Sequence, residues 1–261
     1  MPATHFTKAI VRIPGSNFAE GLTTAALGAP IYELALLQHQ RYCEALRECG
    51  LQLTVLPADM SHPDSTFVED TAVLTAEAAI LARPGAESRT GEVELISVEI
   101  HGHDFPSVLA IDAPGTLDAG DICEAGRHFF LGLSLRSNEK GVRQLKMLLE
   151  CLGYTTSVVD IREMQSILHL KSGIAYIGKN TLVVWEEMAD LPQFRGYDLV
   201  RVSPDEYYAA NCLRINDRVF VAAGFPKLTA ELERRGFKPL LLEMSEFQKM
   251  DGGLSCLSLR F

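Results

Sequence analysis

The chain has no Cys-x-x-Cys pair and no cysteine set with histidine at zinc-finger spacing, although it carries six cysteines, Cys43, Cys49, Cys123, Cys151, Cys212 and Cys256. A structural zinc site of that kind is therefore excluded. There is no apolar run of about 18 residues, so no membrane span is expected. Residues 1–6 lack a basic segment leading into an apolar core, so no secretory signal is expected, and the thiols are read as reduced in a cytoplasm. Gly-rich phosphate loops of the Walker type and the strand-GxGxxG-helix pattern are also missing. Basic residues are outnumbered, 24 Lys and Arg against 34 Asp and Glu, and the formal net charge of −10 argues against a nucleic-acid partner. It is compatible with a small cationic substrate.

What is present is a recurring cassette. Strand 8–13 closes at Pro14-Gly15, and the segment 16–30 is a long polar loop of the kind that binds or covers ligands. Helix 31–49, with Leu36, Cys43 and Leu46 on one face, stops at Gly50 and leads into strand 51–56. Strand pair 71–75 and 79–82, a charged helix from about Thr90, and strand 108–111 form the first full copy. The second has strands 122–125 and 128–131, helix 139–152 and strand 155–159. The third has strands 173–176 and 181–185, a weak connection, and strand 199–202. The fourth has strands 212–215 and 219–223, a short helix with Thr229 as its cap and Gly236 as its stop, and strand 239–242. Strand 256–259 opens a fifth copy whose missing half lies at the N-terminus. The pattern predicts one α/β domain over 1–261, a ring of five strand-strand-helix-strand units closed by pairing the terminal strands.

One residue stands ahead of the first strand in each copy: Asp70, Asp118, His169, Asn211 and Cys256, at successive intervals of 48, 51, 42 and 45. Rotation about a common axis would bring the five together. Taken singly, each has a plain structural reading: a turn aspartate, a core histidine, a small buried thiol. Together they predict a thiol nucleophile, an imidazole acid/base and carboxylates suited to a planar cation. The role of Asn211 stays open.

Several motifs carry a resemblance: Phe67-Val-Glu-Asp70, Arg83-Pro-Gly-Ala-x-Ser-Arg89, Leu117-Asp-Ala-Gly-Asp121, Phe130-Leu-Gly-Leu-Ser-x-Arg-Ser-Asn138, Leu168-His-Leu-Lys-Ser172, Ala209-Ala-Asn-Cys212 and Asp251-Gly-Gly-Leu-Ser-Cys-Leu-Ser258. In this order the chain resembles the dimethylarginine dimethylaminohydrolase family of the guanidino-modifying (pentein) superfamily, whose fold is a five-bladed β/α propeller. The resemblance implies Cys256 as nucleophile, His169 as general acid/base and Asp118 as the acidic residue beside it. It implies substrate contacts from Leu22, Asp64, Glu69, Asp70, Arg89, Arg136 and Met250, with the two arginines at the amino-acid end. Implied further are hydrolysis of a methylated arginine to citrulline and an amine, no metal or organic cofactor, and a monomer or homodimer. The alternatives are the same chemistry on arginine, citrulline or another guanidine or ureido compound, and a methylarginine-binding protein without turnover.

Overall fold

The computed structural model describes residues 5–164 and 166–261; the expectation for residues 1–6 falls, over its first four, outside them. Among the described residues, fifteen strands form five sheets of three. The middle strand of each sheet has a hydrogen-bonded partner on both sides and is largely buried. These middle strands are β1 (Lys8–Arg12), β4 (Ala79–Leu81), β7 (His128–Leu133), β10 (Thr181–Trp185) and β13 (Arg218–Ala222), and every residue of β10 is buried.

Each middle strand pairs antiparallel with one neighbour and parallel with the other. The antiparallel partners are β3 (Ala72–Leu74), β6 (Ile122–Ala125), β9 (Ile174–Gly178) and β12 (Leu213–Ile215). The parallel partners are β2 (Gln52–Leu56), β5 (Val108–Ala110), β8 (Thr155–Asp160), β11 (Asp198–Val202) and β14 (Pro239–Leu242). For β1 the antiparallel partner is β15 (Leu259–Arg260), with Ala9 opposite Arg260 and Ile10 opposite Leu259. The two ends of the chain therefore share one sheet.

A parallel pair needs a crossover, and four units supply it with a helix: α1 (Tyr32–Glu48), α2 (Thr90–His101), α3 (Glu139–Cys151) and, after the single turn α4 (Leu170–Gly173), α5 (Pro226–Arg234). In α3 the buried Val142, Leu145 and Leu149 recur at helical spacing, Asn138 accepts from the Gly141 N–H at 2.9 Å as N-cap, and Gly153 ends the run at φ +83°. Among the described residues, the third unit has no crossover helix: two 3₁₀ turns, Glu186–Met188 and Pro192–Phe194, bury Met188 and Phe194 in its place.

Two local expectations need correction. Thr229 does not cap α5. The helix starts at Pro226, whose fixed φ suits a first turn, and the buried Glu206 carboxylate accepts from the Lys227 and Leu228 N–H groups at 2.9 and 2.8 Å. Thr229 lies one turn inside and donates to Phe225 O at 2.9 Å. The strand expected at 256–259 is only Leu259–Arg260, because Ser255–Leu257 forms a 3₁₀ turn.

Candidate active site

The turn ahead of the first strand of each unit carries one of the five spaced residues, and side chains link the turns in a circuit. Gly120 N–H donates to Asp70 Oδ1 at 2.9 Å, and Leu170 N–H to Asp121 Oδ1 at 2.9 Å. Asn211 Nδ2 donates to Lys171 O at 2.9 Å, and Ser255 N–H to Asn211 Oδ1 at 3.0 Å. Arg260 meets Glu69 Oε1 at 2.5 Å and returns the circuit to its start. The glycine in Asp118-Ala-Gly120 is required here: a Cβ would stand 2.5 Å from Asp70 Oδ1 and 2.8 Å from His169 Nδ1.

His169 is buried between two carboxylates. Its Nε2 lies 3.0 Å from Asp118 Oδ2, and its Nδ1 lies 3.9 Å from Asp70 Oδ1. Asp118, fully buried, also accepts from the Gly85 N–H at 2.8 Å. Burial by itself would lower the imidazole pKa. The Asp70 charge, the Asp118 hydrogen bond and the Asp121 charge outweigh it and bring the group up to about 9. For Asp70, burial pushes the carboxyl up, but the His169 and Arg89 charges hold it down at about 2. Asp121 is pushed up to about 6 by burial, against hydrogen bonds from Ser134 and Ser137, each at 2.6 Å. Among the described residues, Asp70, Asp118 and His169 bring three ligand-type atoms within 4.8 Å of one another. These atoms are already engaged by Arg89, Gly120, Gly85 and one another, so a cation there would have to displace those bonds.

Cys256 stands in the 3₁₀ turn, 8% exposed, with the Gly253 N–H donating to its Sγ at 3.4 Å. Burial and then the charges of Glu69 and Asp70 push the thiol up to about 12. The two glycines before it serve close approach: a Cβ on Gly252 would lie 2.2 Å from the Phe67 ring, and one on Gly253 would lie 2.5 Å from Asn211. The sharp turn itself is made by Asp251, at φ +56°, in the left-handed region that Asp tolerates better than most residues.

A pocket opens onto Cys256, His169 and Asp70, and its lining includes Leu22, Asp64, Arg89, Arg136 and Met250. The loop 21–24 covers it, held by two acids. Asp64 accepts the Leu22 N–H at 3.1 Å on both oxygens. Asp251 Oδ2 accepts from Thr24 N–H at 2.5 Å and from Thr24 Oγ1 at 2.9 Å.

Eight of the ten residues named from sequence meet at this pocket, and two lie behind it. Asp118 stands beneath the imidazole. Glu69, 2% exposed, is outside the lining and pairs with Lys171 Nζ at 2.7 Å and with Arg260. The two arginines differ. Arg89 is buried and committed to protein: Nη1 meets Asp70 Oδ2 at 2.5 Å, Nε and Nη2 meet Glu92, and Nη2 also donates to Phe67 O at 3.2 Å. Arg136 is half-buried at the rim, and its charge acts on Asp64 across the pocket. Sequence reasoning gave no role to Asp251, Lys171 or Asp121. Each stands inside a motif quoted above, but its job depends on partners remote in the chain.

A family model described as N,N dimethylarginine dimethylhydrolase, eukaryotic, matches residues 25–212. The N(G),N(G)-dimethylarginine dimethylaminohydrolase of Pseudomonas aeruginosa is 42% identical over 256 residues, 98% of this chain and 100% of the relative. The chain belongs to the dimethylarginine dimethylaminohydrolase family. The Streptomyces coelicolor family member is 36% identical over 255 residues, 97% of this chain and 96% of its own. Among solved structures, a Cys-to-Ser mutant of the Pseudomonas aeruginosa family member, complexed with citrulline, superposes with a TM-score of 0.95 at 42% identity, covering 99% of this chain and 100% of that one.

Proposed function

We propose that this chain hydrolyses N(ω)-methylated L-arginine, the dimethyl or monomethyl form, to L-citrulline and the corresponding amine. The observation that carries the reading is the pocket in which a buried thiol, an imidazole between two carboxylates and Asp70 face one small space. It is supported by full-length similarity to relatives bearing that activity's name, one of them complexed with citrulline. We further read the five sheets as blades of one five-bladed β/α propeller over 1–261, working in the cytoplasm as a monomer or homodimer on a small-molecule substrate alone.

The steps follow from the charges. The substrate guanidinium enters beside Asp70, and its positive charge opposes the field that holds the Cys256 thiol up, so binding favours the thiolate and releases its proton to solvent. The thiolate attacks the guanidinium carbon. The protonated His169, held through Nε2 by Asp118, gives its Nδ1 proton to the departing amine as the C–N bond breaks, leaving a thiouronium on Cys256. Neutral His169 then takes a proton from water, whose oxygen bonds the same carbon. The C–S bond breaks as the second water proton, left on that oxygen, passes to solvent, and the urea group of citrulline and the thiolate are released. Asp118 keeps the imidazole oriented, and Arg136 meets the substrate carboxylate.

The test is a panel of dimethylarginine, monomethylarginine, arginine, agmatine and citrulline, with citrulline and the released amine or ammonia quantified. Citrulline with equimolar dimethylamine or methylamine is expected. Ammonia from arginine at a higher kcat/KM than amine from either methylated form, or no product at all, would overturn the assignment.

A further inference from the structure

Asn211 has no part in the steps above, yet it joins the two turns that carry the reacting groups. It closes the segment Pro204–Ala210 in the fourth unit and is 6% exposed. Its Nδ2 donates to Lys171 O, two residues beyond His169 in the third unit, at 2.9 Å, and to Ser255 Oγ at 3.1 Å. Its Oδ1 accepts the N–H of Ser255, the residue before Cys256, at 3.0 Å. Both amide donors and the amide oxygen are therefore in use. The backbone of Gly253 packs directly on the amide, where a Cβ would stand 2.5 Å from both Cγ and Oδ1.

A residue that only filled space or capped the Cys256 turn would need the two bonds to Ser255. The third bond crosses to a different unit and reaches the backbone of the His169 turn. The side chain is short and planar, with a single pair of rotatable bonds, so both turns are held to one rigid group. We propose that Asn211 is a positioning residue that sets the separation of the Cys256 thiol from the His169 imidazole; this rests on the reading of those two groups as nucleophile and acid/base.

Displacing a reacting group by about 1 Å can cost on the order of a hundredfold in rate. Asn211→Ala and Asn211→Asp are compared with the parent and with Cys256→Ala, scoring citrulline from dimethylarginine per folded molecule, the folded fraction being taken from thermal melts. The Asp variant keeps the size and the acceptor facing Ser255 but loses both donors. Both variants should fold, with kcat lowered about ten- to a hundredfold and KM within about threefold of the parent. The loss should persist at every pH from about 6 to 10, whereas a mere effect of the new Asp charge would displace the pH profile without lowering its ceiling. Parental kcat per folded molecule in either variant overturns the proposal. So does failure of both to fold, which would assign Asn211 to stability. Turnover by Cys256→Ala would instead remove the nucleophile reading and this inference with it.

Discussion

At the scale of single residues the site separates groups that the sequence presents as alike. Arg89 and Arg136 sit in corresponding motifs of adjacent units, and both were expected at the amino-acid end of the substrate. Arg89 is the counter-ion of Asp70 and Glu92 inside the protein. Arg136→Ala should lower kcat/KM for dimethylarginine by roughly ten- to a hundredfold and spare agmatine, which lacks the carboxylate. Arg89→Ala leaves buried Glu92 without its counter-ion and Asp70 with His169 alone of the two cations, a cost of about 3–5 kcal/mol. It should therefore depress the melting temperature and the activity on both substrates. Identical substrate profiles for the two variants would contradict this division. The thiol and imidazole also dictate a pH dependence. In the proposed steps the reactive pair is thiolate with imidazolium. With the thiol at about 12 and His169 at about 9, the thiolate fraction rises about tenfold per pH unit while the imidazole stays protonated. So kcat/KM should climb with pH up to about 9 and then level off as His169 loses its proton. A kcat/KM that falls between pH 7 and pH 9 would refute that pairing.

At the scale of elements, the segment before Cys256 both carries the thiol and holds the loop 21–31. Asp251 holds Thr24, Lys249 O accepts from Thr23 Oγ1 at 2.8 Å, and Glu246 accepts the Ile31 N–H at 2.6 Å. The loop is thus tied at its ends, and exposed Leu27 and Gly28 lie between. Removing the Asp251 carboxylate frees the nearer end. Asp251→Ala should speed amide hydrogen exchange at Thr24 at least about tenfold and raise KM, since an opening loop exchanges through local unfolding. Asp251→Asn keeps an acceptor oxygen and tolerates the positive φ, so it should stay near the parent on both measures. Equal exchange at Thr24 in the Ala variant and the parent would show that the latch does not hold the loop.

At the scale of the whole molecule, the strands at the two ends of the chain share one sheet, and deleting the last of them tests whether that pairing holds the five sheets together. β15 supplies only two residues to its sheet, but Arg260 also donates to Ser255 O at 2.9 Å and pairs with buried Glu69. Deleting 257–261 exposes the β1 edge, strips Glu69 of a cation and unties the Cys256 turn. The shortened chain should lose cooperative melting and its far-ultraviolet dichroism at assay temperature. Should it instead melt at the parental temperature, closure through the termini would not be what holds the sheets together.

The sequence by itself determined the repeat of strand pairs and crossovers, four of the crossover helices, the pairing of first and last strands and the five spaced residues. Those features are local: apolar runs for middle strands, a helical period in Val142, Leu145 and Leu149, glycine stops, and an interval that recurs. The resemblance carried by short motifs added the roles. Only the tertiary structure decided which charges face the pocket. Glu69 and Asp70 are adjacent in the chain, yet one pairs with Lys171 and Arg260 behind the site while the other faces it. Arg89 is taken up by Asp70, 19 residues away, and Asn211 by Ser255, 44 away. In a buried, low-dielectric centre each charge is settled by its nearest partner, and those partners come from other units, so no window of the sequence contains the answer.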